Sequence, residues 1–377
     1  MLISNTIYYL KKKIVHLPGW KTKRKIVVFD SDDWGSLVAP NEEALKNLSK
    51  KGLNILNNPY KTCDSLEEEG DLSALFDVLK KHKDINGNHP CITANTVMAN
   101  PDFDKIRSDK FNEYHYELFT DSYLRYQGTK KTFDVWQQGV SEKLFFPQFH
   151  AREHLNVMAW MRELKKENPI IHAGFNNNVF ALSESMHPLI NQNFASACYA
   201  KSQEDQNEIE DILRDGLRIF QEIFGFYSKS FIGTGYIWSS NLEPVLASNG
   251  VKYIKGKVFQ REPVYNSEKL KKRFRYTGQK NKYGQIHLVR NALFEPTIMK
   301  NTNMVEDCLR RMEIAFGSGK PVIISAHRLN FIGSRKVKNR TENLRLLDSL
   351  LKKMLIKHPE TEFLNSDELG AEVLQKK

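Results

Sequence analysis

The stretch Lys25-Ile26-Val27-Val28-Phe29-Asp30-Ser31-Asp32-Asp33-Trp34-Gly35-Ser36 decides the fold class. A short run of β-branched and aromatic residues leads directly into three carboxylates, and a glycine and a serine follow. An apolar run of this length is typical of a strand that is buried on both faces in an α/β protein. Carboxylates crowded at the end of such a strand repel one another, so the pattern favours a divalent metal ion among them.

Three chemistries share this local pattern, and the stretch alone does not separate them. Asp30 and Asp32 fit the nucleophile and the acid of an aspartate phosphatase, and they also fit the Asp-x-Asp metal motif of many glycosyltransferases. Asp32 and Asp33 fit a metal-dependent hydrolase in which one carboxylate is the base and its neighbour binds the ion. A structural alternative is that Asp30 and Ser31 form a turn or cap the next helix.

The chain of 377 residues is long enough for one large α/β domain or two ordinary ones, and its hydrophobic content of 40% is that of a globular protein with a buried core. We predict a basic N-terminal arm at residues 1–24 and a single barrel at 25–377, in which 99–143 form a long aromatic-rich insertion. We expect this insertion to wall one side of a substrate cleft. The apolar positions of residues 2–15 predict a short helix in the arm.

Two basic stretches, residues 11–25 and 269–276, carry much of the net charge of +11. Such patches attract phosphate groups, which suits a sugar nucleotide or a lipid-linked glycan as substrate and a peripheral contact of the arm with an anionic membrane. No nucleic-acid-binding motif accompanies the charge, so we expect no nucleic acid partner. The lack of a secretory signal and of CxxC spacing predicts a cytoplasmic protein, at most peripheral to the inner membrane face.

Strand-like and helix-like segments alternate along the chain in about seven or eight units. Residues 71–83 show helical spacing of their leucines and phenylalanine, residues 153–166 predict another helix, and the short apolar run at 170–173 predicts a strand. Strand, helix and strand in repetition indicate a parallel sheet with crossover helices. The expected fold is therefore α/β, as a distorted β/α barrel of about seven strands.

Histidines follow two of the predicted strands. The strand at 144–149 ends in His150-Ala151-Arg152-Glu153-His154, and two imidazoles four residues apart on one helical turn can share a metal ion. The strand at 322–326 ends in His327, which becomes a candidate proton donor if it lies near the carboxylates. In a parallel barrel all such strand ends meet on one face, so we expect these groups to converge.

The order of these motifs resembles the polysaccharide deacetylase family, also called carbohydrate esterase family four or the NodB-like homology domain, over about residues 25–330. Members of that family have a distorted β/α barrel and remove acetyl groups from sugars with a divalent metal. The resemblance implies Asp32 as the general base and His327 as the general acid. It implies Asp33, His150 and His154 as metal ligands, and a mixed imidazole and carboxylate set in an open site suits zinc.

The third motif departs from the family pattern. The family has an Arg-Pro-Pro-x-Gly loop where this chain reads Phe231-Ile232-Gly233-Thr234-Gly235-Tyr236, so the arginine that steadies the catalytic aspartate is missing. Arg290 and Asn291, at the end of the strand predicted at 285–289, are the candidates to replace it. The backbone N–H of Tyr236 or its neighbour is a candidate for an oxyanion hole. The residues that we predict to contact substrate are Trp34, Gly235, Tyr236, Arg290 and Asn291.

The resemblance implies a metal-dependent hydrolase that removes an N- or O-linked acetyl group from an acetylated sugar or glycan, in a cytosolic step of surface-polysaccharide biosynthesis. Two alternatives stay open. One is a barrel that binds a glycan without hydrolysing it, which the altered third motif permits. The other is a metal-dependent glycosyltransferase that uses Asp30 and Asp32. A phosphatase fits less well, because it leaves His150, His154 and His327 without a role.

Overall fold

In the computed structural model, which describes residues 17–375, the chain is built around a parallel sheet; the helix predicted at 2–15 lies outside the described residues. Nine strands of this part of the chain form the main sheet, and all of its pairs are parallel. The predicted α/β class and parallel barrel architecture are confirmed. The strands are β1 (Lys25–Trp34), β2 (Ile92–Val97), β3 (Ala99–Pro101), β4 (Tyr116–Leu118), β5 (Phe145–Ala151), β6 (Ser230–Ile232), β7 (Tyr253–Gly256), β8 (Phe259–Pro263), β9 (Leu270–Phe274), β10 (Ile286–Val289), β11 (Ala292–Leu293), β12 (Val322–His327) and β13 (Thr361–Phe363).

The main sheet curls into a nearly closed barrel. Its order is β10-β7-β6-β5-β2-β1-β12-β11, with β13 also paired to β1, so β10 and β11 are the two edges. Only Arg290 and Asn291 separate these edges along the chain. The backbone N–H of Arg290 donates to the carbonyl of Gly256, and that of Asn291 donates to the carbonyl of Ile323. Because three steps of extended chain reach about 11 Å at most, β11 follows β10 closely along the chain, and the segment passes from pairing with β7 to pairing with β12 with Arg290 at this seam.

Helices surround the barrel and join its strands. None of the helices within residues 17–375 is long and apolar enough to cross a bilayer. Two small antiparallel ribbons, β3 with β4 and β8 with β9, lie outside the main sheet. The α-helices are Glu42–Lys50, Pro59–Thr62, Glu69–Leu79, Phe103–Ser108, Phe119–Gln127, Lys131–Ser141, Val157–Lys165, Pro169–Asn176, Gln203–Phe224, Glu243–Ser248, Met304–Gly317, Val337–Lys357 and Ser366–Gln375.

The strand predicted at 170–173 is wrong, because these residues lie inside the helix Pro169–Asn176. Asn168 caps this helix by accepting hydrogen bonds from the backbone N–H groups of Ile170 and Ile171, and proline occupies the first helical turn. Short apolar runs do not separate strand from helix by periodicity, whereas an Asn-Pro start favours the helix. The Asn-Pro start is therefore the informative part of this segment.

The carboxyl end of β1 is distorted, and the distortion positions the carboxylates. The register between β1 and β2 shifts between Ser31 and Trp34, and Asp33 adopts a positive φ of 77°. Strict alternation would send the side chains of Asp32 and Asp33 to opposite faces of the sheet. An irregularity of this kind re-aims a side chain, and aspartate is one of the few residue types that tolerates a left-handed conformation. Both carboxylates can therefore reach the same cavity.

Candidate active site

The carboxylates of β1 are bound by Arg290 at the barrel seam. Its Nη1 and Nη2 atoms donate to the two oxygens of Asp32 at 2.7 and 2.6 Å, and its Nε donates to Asp30 at 2.7 Å. Burial raises the pKa of the Asp32 carboxyl, but the charge and hydrogen bonds of Arg290 outweigh it and the net pKa is lowered. Asp32 is thus held as a carboxylate, the form that a general base requires. Arg290 supplies the contact that the resemblance expects from the missing third-motif arginine.

Asp30 is a buried counterion. Its carboxylate accepts a hydrogen bond from Lys255 at 2.9 Å in addition to the one from Arg290, and Asn95 donates to both Asp30 and Asp32 at 2.9 and 2.7 Å. Two carboxylates and two cations therefore balance within the barrel. Asp30 is 0% exposed, so it is not placed to attack a substrate as a phosphatase nucleophile. The same pairing speaks against a glycosyltransferase-type metal site built from Asp30 and Asp32.

Asp33, His150 and His154 converge at the end of β1 and β5. Their candidate ligand atoms all lie within 4.8 Å of one another. The two Nε2 atoms lie 3.6 Å (His150) and 3.2 Å (His154) from Oδ1 of Asp33. Nδ1 of His150 donates to the carbonyl of Ile232 at 2.7 Å, which leaves its Nε2 as the basic nitrogen that faces Asp33. Two imidazoles and one carboxylate fit a divalent transition metal such as zinc.

The local geometry of the histidine pair differs from the prediction. His150 belongs to β5, and His154 lies in the connection before the helix Val157–Lys165, so the pair does not occupy one helical turn. The convergence of the two imidazoles comes from the chain bending after the strand. Asp33 itself is held as a carboxylate: burial raises its pKa, but the charge of His154 and hydrogen bonds with both histidines lower it well below the usual value.

His327, at the end of β12, lies beside Asp32. Its Nε2 is 3.8 Å from Oδ2 of Asp32, and its Nδ1 donates to Glu295 at 2.5 Å. Burial lowers the pKa of His327, but the Glu295 carboxylate outweighs burial and raises it to about 10. Asn330 holds the second Glu295 oxygen at 2.8 Å. His327 is therefore protonated near neutral pH and can donate a proton to a leaving group.

These groups line one cavity of about 360 Å³, a size that suits a small sugar-like ligand. Asp32, Asp33 and the three histidines line it together. Its walls come from residues near 36–38, 58–64, 180–196, 233–236 and 257–261. The prediction that the insertion at 99–143 walls the cleft is wrong, because none of its residues lines the cavity. Its large aromatics, such as Phe119 and Trp136, are buried in the core instead.

The predicted substrate contacts divide into two groups. Gly235 and Tyr236 line the cavity, and the Tyr236 hydroxyl accepts a hydrogen bond from Arg290 at 2.8 Å. The Tyr236 N–H donates to Gly233 at 2.9 Å, so it is already used and does not supply the predicted oxyanion hole. Trp34, Arg290 and Asn291 do not line the cavity; the first two are buried and Asn291 is half-buried. Their positions speak against substrate contact in this structure.

Trp34 is 1% exposed and donates its indole N–H to Ser31 at 3.0 Å. Asn291 donates its side-chain amide to the carbonyl of Pro321 at 2.8 Å, and its amide oxygen accepts the backbone N–H of Ile323. Both side chains therefore stabilise the barrel itself. Arg290 is 5% exposed and acts through Asp32.

Sequence reasoning missed several residues of the site. Glu295 follows β11, a strand of two residues that is too short to show a periodic pattern. The one available signal is the number of residues between Glu295 and His327, which is typical of neighbouring strands in a β/α barrel. Tyr60, whose ring lies edge-on to His327 at 5.3 Å between centroids, comes from a one-turn helix. Lys61 also lines the cavity, donates to the carbonyl of Phe180 at 3.2 Å, and has its pKa lowered to about 8 by burial.

A second group of possible ligands lies among the described residues, at Asp109, Glu113 and His115. The nearest pair is His115 Nε2 and Asp109 Oδ2 at 3.4 Å, and Glu113 is exposed. It shares no residue with the cavity. Exposed acidic clusters of this type are common without a metal, so we assign it no function.

No protein-family model matches the sequence, and no curated protein matches it. Three solved structures similar to the chain are the 4-alpha-glucanotransferase from Thermococcus litoralis, the Puue allantoinase and a probable polysaccharide deacetylase from Pseudomonas aeruginosa PAO1. Their identities are 8%, 10% and 10%, and their TM-scores are 0.47, 0.45 and 0.45. The matches cover 94%, 95% and 94% of this chain, and 40%, 93% and 92% of those chains. With TM-scores below 0.5, they carry no conclusion about activity, and the function is argued from the site.

Proposed function

We propose that the protein is a metal-dependent hydrolase that removes an acetyl group from an acetylated sugar or glycan. The observation that carries this proposal is the convergence, in one cavity, of three candidate metal ligands with a carboxylate and a histidine whose pKa is raised. Asp33, His150 and His154 are the candidate ligands, and Asp32 and His327 flank them. The polysaccharide deacetylase resemblance assigns the same five residues the same roles.

A divalent metal held by the three ligands would polarise the acetyl carbonyl and acidify a water molecule. Asp32 is positioned to take a proton from the attacking water, because Arg290 keeps it ionised and fixes its orientation. His327 carries the proton that the departing nitrogen or oxygen of the sugar needs, because Glu295 keeps it protonated. The two groups thus hold opposite protonation states at the same pH, as acid–base catalysis requires.

Zinc is the proposed metal, because two imidazoles and one carboxylate are typical of catalytic zinc sites with an open position. The proposed substrates are an acetylated sugar, a sugar nucleotide or a lipid-linked glycan. A cytoplasmic location with peripheral membrane contact and a role in surface-polysaccharide synthesis stay predictions from the sequence. So do the boundaries at 1–24 and 25–377.

The proposal is tested by measuring metal content and acetate release on the same purified samples. Wild-type protein should hold one divalent ion per chain and release acetate from at least one member of a panel of N-acetyl and O-acetyl sugars. His154→Ala should lose both the ion and the activity. His115→Ala is the matched control, because it removes a histidine from the surface cluster and should change neither.

Full metal content with no acetate release from any panel member would contradict the hydrolase and favour the glycan-binding barrel. Retention of the ion in His154→Ala together with its loss in His115→Ala would place the metal at the surface cluster and remove the basis of the proposal.

A further inference from the structure

The charges that line the cavity do not balance. Three carboxylates face it: Asp32 is paired with Arg290, Asp33 belongs to the proposed metal site, and Asp64 is bound by Arg328 at 3.0 Å. Besides the protonated His327, which Glu295 binds, three further cations line it, namely Lys61, Lys257 and Arg261. Among residues 17–375, none of these three cations forms an ion pair with a carboxylate within 4.0 Å. The cavity therefore carries positive charge without a counterion within the described part of the chain.

Two of these cations flank the loop that follows β6. The ammonium of Lys257 lies 4.0 Å from the centre of the Tyr236 ring, and Nη2 of Arg261 donates to the carbonyl of Gly235 at 2.6 Å. Arg261 uses one of its five N–H donors in this bond, so donors remain for a ligand. Burial and the nearby charge of Arg290 lower the pKa of Lys257, and the carboxylates of Asp32 and Glu295 offset this only in part.

The ribbon formed by β8 and β9 adds a third cation next to Arg261. Lys272 lies directly opposite Arg261 in the register of the two strands, so both side chains project from the same face. Like charges in directly opposed positions destabilise a ribbon unless an anion lies between them. The opposite face differs: there Glu262 is paired with Arg273 at 2.5 Å. Among the residues of the ribbon, the face that carries Arg261 and Lys272 therefore presents cations and no carboxylate.

We propose that Lys257, Arg261 and Lys272 form a subsite that binds an anionic group, a phosphate or a carboxylate, on the acetylated substrate. This inference rests on one part of the proposed function, namely that the sugar binds in this cavity. The subsite lies beside the Gly235–Tyr236 loop and therefore next to the proposed catalytic residues. A substrate that carries an acetyl group and an anionic substituent would present the acetyl group to Asp32 while the anion contacts the ribbon.

The experiment compares the binding of three related probes to the metal-loaded full chain by titration calorimetry. N-acetylglucosamine 1-phosphate carries a phosphate, N-acetylmuramic acid carries a carboxylate, and methyl N-acetylglucosaminide is neutral. At least one anionic probe should bind about tenfold more tightly than the neutral one, the effect expected for a hydrogen bond to a charged group. The anionic probe that binds more tightly shows whether the subsite prefers a phosphate or a carboxylate. This preference should fall as the salt concentration rises.

The variants are chosen to remove charge and keep the packing. Arg261→Gln retains a donor for Gly235, and Lys257→Met retains the methylene chain over Tyr236. Each, like Lys272→Gln, should weaken the preferred anionic probe about tenfold and leave the neutral probe unchanged. Lys271→Gln is the control, because Lys271 lies opposite Glu262 on the other face of the ribbon and its loss should not change binding.

The inference is overturned if both anionic probes bind no better than the neutral one, if neither binds at millimolar concentration, or if the variants weaken all probes equally. Binding and acetate release are separate readouts. Anion preference without acetate release from any sugar would retain the subsite and contradict the proposed function. Acetate release without anion preference would support the proposed function and contradict the subsite.

Discussion

Arg290 gives the most informative perturbation, because a single guanidinium holds the two carboxylates of β1. It makes three hydrogen bonds to Asp30 and Asp32, all between 2.6 and 2.7 Å. In Arg290→Met, Lys255 still pairs with Asp30, whereas Asp32 keeps the amide of Asn95 and the more distant imidazole of His327 at 3.8 Å. Removing one partner of a buried ion pair typically lowers the free energy of unfolding by about 3–5 kcal/mol. We expect a loss of this size at neutral pH.

The same variant has a predictable pH dependence. Arg290 lowers the pKa of Asp32 in the folded protein, so the stability that the pair contributes is present above the unfolded pKa of aspartate and is lost as the pH falls through the folded value. Without Arg290 the pKa of Asp32 rises, and a protonated Asp32 needs no counterion. The stability difference between wild type and variant should therefore shrink towards acid pH, and the acid limb of the kcat profile should move to higher pH.

Urea unfolding measures the stability part, with two further variants as controls. Arg24→Met removes an arginine that pairs with Glu362 and Glu372 at the more exposed surface, and it should change the free energy of unfolding by about 1 kcal/mol or less. Adding Asp30→Asn to Arg290→Met removes one of the two crowded carboxylates and should restore part of the lost stability. Equal losses for Arg290→Met and Arg24→Met, or no recovery in the double variant, would refute the electrostatic account.

Three further predictions concern individual roles. Glu295→Gln should lower the pKa of His327, so the basic limb of the kcat profile should move to lower pH; an unmoved limb would show that Glu295 does not tune the acid. Trp34→Phe should leave KM unchanged and cost about 1 kcal/mol of stability from the lost hydrogen bond to Ser31, whereas a raised KM in a stable variant would return Trp34 to the substrate site. Asp33→Asn keeps a residue that tolerates a positive φ, so circular dichroism should be unchanged while elemental analysis shows the metal lost; full metal content would exclude Asp33 as a ligand.

The sequence predicts the fold well where an apolar run is long or is followed directly by a carboxylate or a histidine. The run before Asp30 was recognisable as a buried strand, and His150 and His327 both lie at strand ends as expected. The seam of the barrel was not predictable, because β11 has only two residues and shows no period. The sequence indicates Arg290 as a candidate only through its place at a strand end; that it binds Asp32 with two nitrogens depends on the closure of the barrel.

The sequence predicts the residue types of the site better than their geometry. Alternation along a strand places Asp32 and Asp33 on opposite faces, and only the irregularity with its positive φ at Asp33 brings both to one cavity. Likewise, the spacing of His150 and His154 predicts a shared ion on the assumption that both lie on one helical turn. In the structure neither residue lies in a helix. Aromatic residues at 99–143 do not form the expected cleft wall, because core packing and sugar stacking select the same side chains.

The most direct test of the central claim is the rate of acetate release by Asp32→Asn, compared with wild type on samples whose metal content has been measured. The substituted amide keeps the shape of the side chain and lacks the proton acceptor, and Asp32 is not one of the proposed ligands. The account predicts unchanged metal content and a kcat that is lower by about 10²–10⁴-fold, the contribution of a general base. An unchanged kcat in a fully metal-loaded variant would contradict it.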